Sequence, residues 1–317
     1  MIKKKLLPNL IFYKFLFNFE FLEDALLPEF KGSTIRGAFG WKLLKAVEGL
    51  YPVYEKIFET KGDQNNPAPL SHVKEVPHPF ILHPPLDKKR NFQKGELITV
   101  GITLIGYSHN FLPFFVEAFS LMGKNGITPK RKKLKLMNVV NEDAEGSKFL
   151  IYEHGSSAIS NNYKPITTNN ILSVINNDVK KLTLNFETPF HLRSESAEIL
   201  EKDKNKITPR ILVARLEERY KTLAQLYCRS EANVKQIFQP DDSVAISNMN
   251  VEHYQLPRYS NRTRKKQMFL GLLGSITLEG NLSSILPLLY IGEKINIGNK
   301  SSFGWGHYKI ELPDRFF

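Results

Sequence analysis

The residues best suited to chemistry lie near the end of the chain, in Gly292-Glu293-Lys294-Ile295-Asn296-Ile297-Gly298-Asn299-Lys300-Ser301-Ser302-Phe303-Gly304-Trp305-Gly306. Glycine reaches positive φ and lets another chain approach closely. A run of exposed N–H groups beside Lys294 and Lys300 can therefore hold a phosphate backbone. The same glycines also suit a tight loop before a final strand, and the stretch His307 to Leu312 has the period-2 pattern of one. Two nucleotide sites are excluded: no Gly-Lys-Ser/Thr opens a helix here, and no Gly-x-Gly-x-x-Gly leads from a strand into one.

Two basic clusters accompany this segment. Lys124, Lys130, Arg131, Lys132, Lys133 and Lys135 lie in a stretch without carboxylates between Ala118 and Asn141. Arg258, Arg262, Arg264, Lys265 and Lys266 lie in another, between Tyr254 and Leu278. Uninterrupted positive charge is a footprint for phosphates, and Tyr254 and Tyr259 can stack on unpaired bases beside the second cluster. The alternative is that both clusters are solvated faces of loops or strand ends. The eight histidines are scattered without ligand spacing, so neither a metal site nor a cofactor is expected. Cys228 falls on an apolar helical stripe and no Gly-x-Ser-x-Gly is present, which argues against hydrolysis by a serine or cysteine nucleophile.

The 317 residues carry 44 Lys+Arg against 32 Asp+Glu, a net charge of +12, with 42% apolar residues. That balance describes a globular protein with an anionic partner. A single cysteine fits a reducing, cytoplasmic compartment. Lys3 to Lys5 precede an apolar stretch, but Pro8, Asn9, Lys14, Asn18 and Glu20 interrupt it, so neither a signal peptide nor a membrane partner is expected.

The elements that must position these residues are legible as patterns. Ile11, Tyr13, Phe15, Phe17, Phe19 and Phe21 alternate along a strand with one aromatic face. Ser33 or Thr34 then caps a helix with Ile35, Phe39, Leu43, Leu44 and Val47 on one side. Residues 60–76 read as a loop, 80–82 and 97–105 as strands, 111–122 as a helix and 133–140 as a strand. This β-α-β-β-α-β order is ferredoxin-like. Residues 146–179 read as a connector or insertion with one short strand at 149–152. The plan then recurs: a strand over 181–187, a helix over 209–228, strands over 244–255 and 267–278, a helix over 282–289, and the last strand. The domains expected are thus 1–145 and 180–317, joined by 146–179.

In this order, Ser33-Thr34-Ile35-Arg36-Gly37-Ala38-Phe39-Gly40, His78-Pro79-Phe80, Pro84-Pro85-Leu86, Met122-Gly123-Lys124-Asn125-Gly126-Ile127, Arg258-Tyr259-Ser260-Asn261-Arg262 and the glycine segment resemble the CRISPR-associated RAMP endoribonucleases that cut precursor CRISPR RNA within its repeats. The match spans about Phe21 to Ile310. The resemblance implies an α+β fold of tandem ferredoxin-like, RRM-related domains with a C-terminal glycine-rich loop, gripping RNA along their shared face and cleft. It implies metal-independent cleavage by attack of a ribose 2′-OH on the adjacent phosphate, leaving a 2′,3′-cyclic phosphate and a 5′-hydroxyl. Such chemistry needs a base, an acid and a cation for the phosphorane.

Many relatives place a histidine at or soon after the position held here by Trp41, and this chain has none before His72. The polar candidates on or after the helix are Lys42, Lys45, Tyr51 and Tyr54. Arg36, expected in the first helical turn, is a candidate phosphate contact. With it, the RNA-binding set is Arg258, Arg262, Arg264, Lys265, Lys266, Gly298, Asn299, Lys300, Gly304 and Gly306. A CRISPR effector complex is a further expected partner, and the oligomeric state stays open between monomer and homodimer. Two rival readings are a RAMP-fold protein that binds repeat RNA without cutting it, which the missing histidine favours, and a basic protein that docks on another anionic surface.

Overall fold

The computed structural model describes residues 7–60, 76–128, 130–173, 175, 178–194, 197–230, 236–260 and 265–313. It is an α+β protein of two compact units, one built on Ile11–Thr167 and the other on most of the chain from Thr168 onward.

The first unit opens with β1 (Ile11–Phe21), whose alternating phenylalanines Phe15, Phe17, Phe19 and Phe21 are fully buried. Next come α1 (Gly32–Ala46), β2 (Phe80–His83), β3 (Leu97–Ile105), α2 (Leu112–Asn125), β4 (Leu134–Glu142) and β5 (Lys148–Glu153). The antiparallel sheet has the order β2-β3-β1-β4-β5, with the short strand Ile166–Thr167 also on β1. Its four principal strands thus follow the ferredoxin order second, third, first, fourth. The two helices cover the face on which the phenylalanines emerge. Phe119 of α2 lies 4.4 Å from Phe17 and 4.7 Å from Phe39 of α1, ring centroid to centroid. A strand with one aromatic face can hide it only under such a layer, and each buried ring contributes roughly 2–3 kcal/mol.

The second unit repeats the plan with β6 (Lys181–Phe186), α3 (Pro209–Cys228), β7 (Ala245–Ser260), β8 (Lys265–Glu279), α4 (Leu286–Ile295) and β9 (Tyr308–Glu311). Its sheet order is β7-β8-β6-β9, again second, third, first, fourth. Among the described residues no helix is long and apolar enough to cross a membrane.

Three elements differ from expectation. Helix α1 begins at Gly32 with Lys31 as its N-cap and without a side-chain cap, so Ser33 and Thr34 lie inside the first turn. The buried Lys31 ammonium is held by the carboxylate and carbonyl of Asp87, which fixes the helix entry instead. Helix α4 starts at Leu286, four residues later than the apolar pattern suggests, because Pro287 lacks an N–H and suits only a first turn. The β7–β8 hairpin is longer than expected, with register from Ala245↔Glu279 to Ser260↔Lys265. Pro257 resembles a terminator in sequence, yet β7 is an edge strand, where proline is tolerated.

Candidate RNA-contacting residues

In the second unit the chain leaves α4 through a segment pinned to its own unit. Asn296, Gly298, Lys300, Gly304 and Gly306 all have positive φ, and Ser301–Phe303 form a single 3-10 turn. The Ile297 N–H donates to the Gly306 carbonyl (2.9 Å), Gly306 N–H to Pro189 (2.7 Å) and Asn299 N–H to His191 (3.1 Å). Phe303 and Trp305 N–H donate to Lys300, and Gly304 N–H to Ser301. From α3, Arg219 donates to the Ile295 carbonyl (2.8 Å) and to Ser301 Oγ (2.7 Å). These six N–H groups are therefore engaged internally, which leaves fewer of them for the phosphate cradle expected from the glycines. Gly298, Gly304 and Gly306 shape the segment.

Lys300 is the side chain this scaffold positions most closely. Its Nζ lies 5.0 Å from the ring centroids of both Phe269 on β8 and Trp305, and 3.4 Å from the Leu270 carbonyl. Burial lowers its pKa to about 8, with Glu198 opposing the shift and Arg193 adding to it. On the neighbouring strand, Arg258 places its guanidinium carbon 5.0 Å from Phe269 and 4.7 Å from Phe303. Burial lowers the Arg258 pKa as well, and its Nε–H has no hydrogen-bond partner among the described residues. The buried indole N–H of Trp305 has none either. Two cations thus interleave with three aromatic rings, and two buried donors lack acceptors. Such orphaned donors are rare unless water or a ligand serves them.

Sequence spacing gave no sign of what surrounds this cage. His191 is buried with Nε2 2.9 Å from Glu198 Oε1, though off the line of a well-aligned hydrogen bond. Burial lowers the His191 pKa, Lys300 lowers it further, and Glu198 acts in the opposite sense. His191 lies two residues before the strand Arg193–Ser194, and Glu198 belongs to the strand Ala197–Glu198 that folds back on it. A second histidine, His307, lies 3.1 Å from Glu187. The signal available in sequence was only that each histidine has a carboxylate on a paired or adjoining segment.

At the end of the hairpin, Lys265 and Lys266 are exposed and pair in register with Ser260 and Tyr259. Arg262 and Arg264 lie outside the described residues. The first basic cluster is less uniform in space than in sequence, since Glu23 reaches it. Glu23 pairs with Lys132 at 3.0 Å and accepts from the Lys133 N–H, contacts that lower its pKa.

In the first unit, Arg36 sits in the second turn of α1, one turn beyond the expected place at the helix N-terminus. Its guanidinium carbon lies 4.2 Å from the Phe58 ring centroid and its Nη2 3.1 Å from His78 Nε2. His78 Nε2 is also 3.0 Å from the Phe58 carbonyl. The arginine contact needs that nitrogen unprotonated and the carbonyl contact needs it protonated, so the two belong to alternative tautomers. Lys42 is half-buried, Lys45 and Tyr51 are exposed, and Tyr54 is buried against Phe58 with ring centroids 5.3 Å apart. The Tyr51 hydroxyl donates to Glu59 Oε2 at 3.2 Å. Gly40 is required by packing, since a Cβ there would lie 2.2 Å from the Phe58 ring. Among the described residues no group of three or more His, Cys, Asp or Glu side chains is placed to hold a metal ion.

Comparison with known proteins gives this arrangement a context. The family model described as CRISPR-associated endoribonuclease Cas6 matches residues 184–308, and a model described as an N-terminal domain matches residues 8–164. No curated protein matches the chain. Among solved structures, a chain of a partial Cas6-RT-Cas1–Cas2 complex aligns with 99% of this chain at a TM-score of 0.61 and 13% identity. The present chain spans 47% of that neighbour's length. A Cas6 product complex aligns at TM-score 0.53 and 15% identity, over 94% of this chain and 99% of that one. Cas6 of Thermus thermophilus aligns at TM-score 0.51 and 14% identity, over 95% and 99%. At these identities the structural likeness is one of fold, a tandem pair of ferredoxin-like units. Residues 184–308 thus match the Cas6 family model, and the chain as a whole shares the fold of solved Cas6 structures.

Proposed function

We propose that this protein cleaves precursor CRISPR RNA within its repeats, without a metal ion, by attack of the ribose 2′-OH on the adjacent phosphate. The products are a 2′,3′-cyclic phosphate and a 5′-hydroxyl. The observation that carries the RNA-holding half of this reading is the cage in which Lys300 and Arg258 interleave with Phe269, Phe303 and Trp305. Arginine and lysine held partly desolvated beside orphaned N–H donors are matched to a phosphodiester. In this reading Asn299, Lys265, Lys266, Arg262 and Arg264 extend the contact along the RNA, and Gly298, Gly304 and Gly306 hold Lys300 in place.

The chemical half falls to α1 and the turn after it. Lys42 and Lys45 supply positive charge to the phosphorane, Tyr51 exchanges a proton with the 2′- or 5′-oxygen, and the buried Tyr54 positions Tyr51. Arg36, anchored by Phe58 and His78, adds a further phosphate contact. A CRISPR assembly that receives the product is part of the proposal, in keeping with the Cas6-RT-Cas1–Cas2 neighbour. The rival reading, RNA binding without cleavage, draws on Trp41 and on the burial of Tyr54.

The RNA-holding half is tested by Arg258→Ala and Lys300→Ala in a gel-shift assay on repeat RNA at physiological salt. Each variant is expected to lose about tenfold in affinity, the scale of one charge-assisted contact. Wild-type affinity in both variants would remove the cage from the RNA interface.

A further inference from the structure

The exposed apolar side chains of the first unit are not scattered singly. Trp41 is 54% exposed, Leu50 49% and Tyr51 49%, all within eleven residues. Trp41, Leu44, Lys45 and Glu48 follow the i, i+3, i+4, i+7 spacing that puts them on one stripe of a helix and its final turn. Gly49, at φ +83°, reverses the chain and brings Tyr51 alongside. Trp41, Leu44, Lys45, Glu48 and Tyr51, with Val47 and Gly49, line an open depression of about 520 Å³.

Two exposed aromatic rings, a lysine and one carboxylate make an amphipathic hollow. A purely apolar partner would leave Lys45 and Glu48 unmatched at its rim. An unpaired nucleobase matches all of them: its faces stack on indole or phenol, its phosphate meets the ammonium, and an exocyclic amine donates to the carboxylate. The net charge of +12 selects the same kind of occupant, an anionic one.

Resting on the RNA-cleaving reading above, we infer that the Trp41–Tyr51 depression is a stacking site for one unpaired nucleobase of the bound RNA. Lys45 takes the phosphate beside that base, and Glu48 favours a base with an exocyclic amine. Trp41 then replaces proton-transfer chemistry at its position with grip on the nucleotide, and fixes the RNA against Lys42, Lys45 and Tyr51.

The chain has two tryptophans, Trp41 exposed and Trp305 fully buried, so their emission can be assigned by single substitutions. The experiment titrates the full chain with a fluorescein-labelled repeat RNA carrying 2′-deoxyribose at the scissile position. Tryptophan emission and RNA anisotropy are read in the same cuvette. Wild type is expected to show quenching that tracks binding. Trp41→Phe should keep the binding and lose the larger part of that quenching, leaving only what the caged Trp305 contributes, and Trp41→Leu should bind about tenfold more weakly, the scale of one base–aromatic stack. RNA bound with unchanged emission, and with Trp41→Leu binding as wild type does, overturns the stacking site and leaves the RNA-binding reading intact. No anisotropy change with any RNA overturns that reading and the inference with it. Emission that instead changes with protein concentration alone assigns the hollow to contacts between copies of this chain and overturns the inference too.

Discussion

Replacing Gly306 by alanine is expected to lower the melting temperature of the second unit by about 6–12 °C, from a loss on the order of 3 kcal/mol. The residue sits at φ +79°, a region that costs an L-side chain about 1–2 kcal/mol. A Cβ there would stand 2.0 Å from the Ile297 carbonyl oxygen. That oxygen belongs to backbone, so the clash is relieved only if the segment moves. Movement would break the bonds from Ile297 N–H to Gly306 and from Gly306 N–H to Pro189, and these hold the segment closed. Gly298 is constrained in the same way, with a Cβ position 2.2 Å from the His191 carbonyl oxygen. Gly146 is the control: its φ is +84° but nothing lies within 4 Å of its Cβ position, so Gly146→Ala should cost only about 1 kcal/mol. Equal melting temperatures for Gly306→Ala and Gly146→Ala, measured by calorimetry, would contradict the pinned geometry.

The second large effect is a pH dependence of RNA affinity centred on Lys300. Its pKa is lowered to about 8 in the folded protein, so its ammonium is mostly present at pH 7 and mostly lost at pH 9. Phosphate binds the ammonium, so affinity should fall as pH rises through this window, by about tenfold from pH 7 to pH 9. Folding stability moves the other way. The unfolded chain keeps the proton up to the ordinary lysine value while the folded chain releases it near 8, so stability rises with pH between the two. The groups around Lys300 are Glu198, Arg193, His191 and Arg258. The lowered pKa of Glu198 keeps it ionised from pH 7 to 9, and the lowered pKa of His191 keeps it neutral there. Lys300→Arg is therefore expected to bind with little pH dependence, because the guanidinium stays charged throughout. Anisotropy titrations with a 2′-deoxy-blocked repeat RNA test this. A wild-type curve as flat as that of Lys300→Arg would remove Lys300 from the interface.

Much of the fold could be read from the chain because its strands announce themselves by period. The phenylalanines of β1 alternate over seven residues, Phe15 to Phe21, and no helix would place them on one face. The recurrence of β-α-β-β-α-β gave the tandem ferredoxin plan without any repeat of sequence. Boundaries shifted at prolines: β7 runs on past the expected end at 255 through Pro257, which an edge strand tolerates, while Pro287 lies in the first turn of α4.

The candidate site was legible as residue types and hidden as neighbours. Lys300 and Arg258 stood out as cations near glycine and tyrosine. Their cage is built from Phe269 on one strand and Phe303 and Trp305 on a turn, and only the register of β7 against β8 brings Arg258 beside Phe269. The glycines were legible as positive-φ positions, but not the use of their N–H groups, which depends on carbonyls of Pro189 and His191 more than a hundred residues away. In the first unit the Arg36–His78 contact spans 42 positions, a pairing that local spacing does not encode.

The central claim, cleavage of repeat RNA by its own 2′-OH, is tested most directly by incubating the protein with repeat RNA in EDTA. A parallel substrate carries a single 2′-deoxy nucleotide upstream of the scissile phosphate. The account predicts one cut in the all-ribose RNA, with a 2′,3′-cyclic phosphate on the upstream fragment, and none in the substituted RNA. Tight binding of both RNAs with neither cut would contradict it, and would make this protein a carrier of CRISPR RNA.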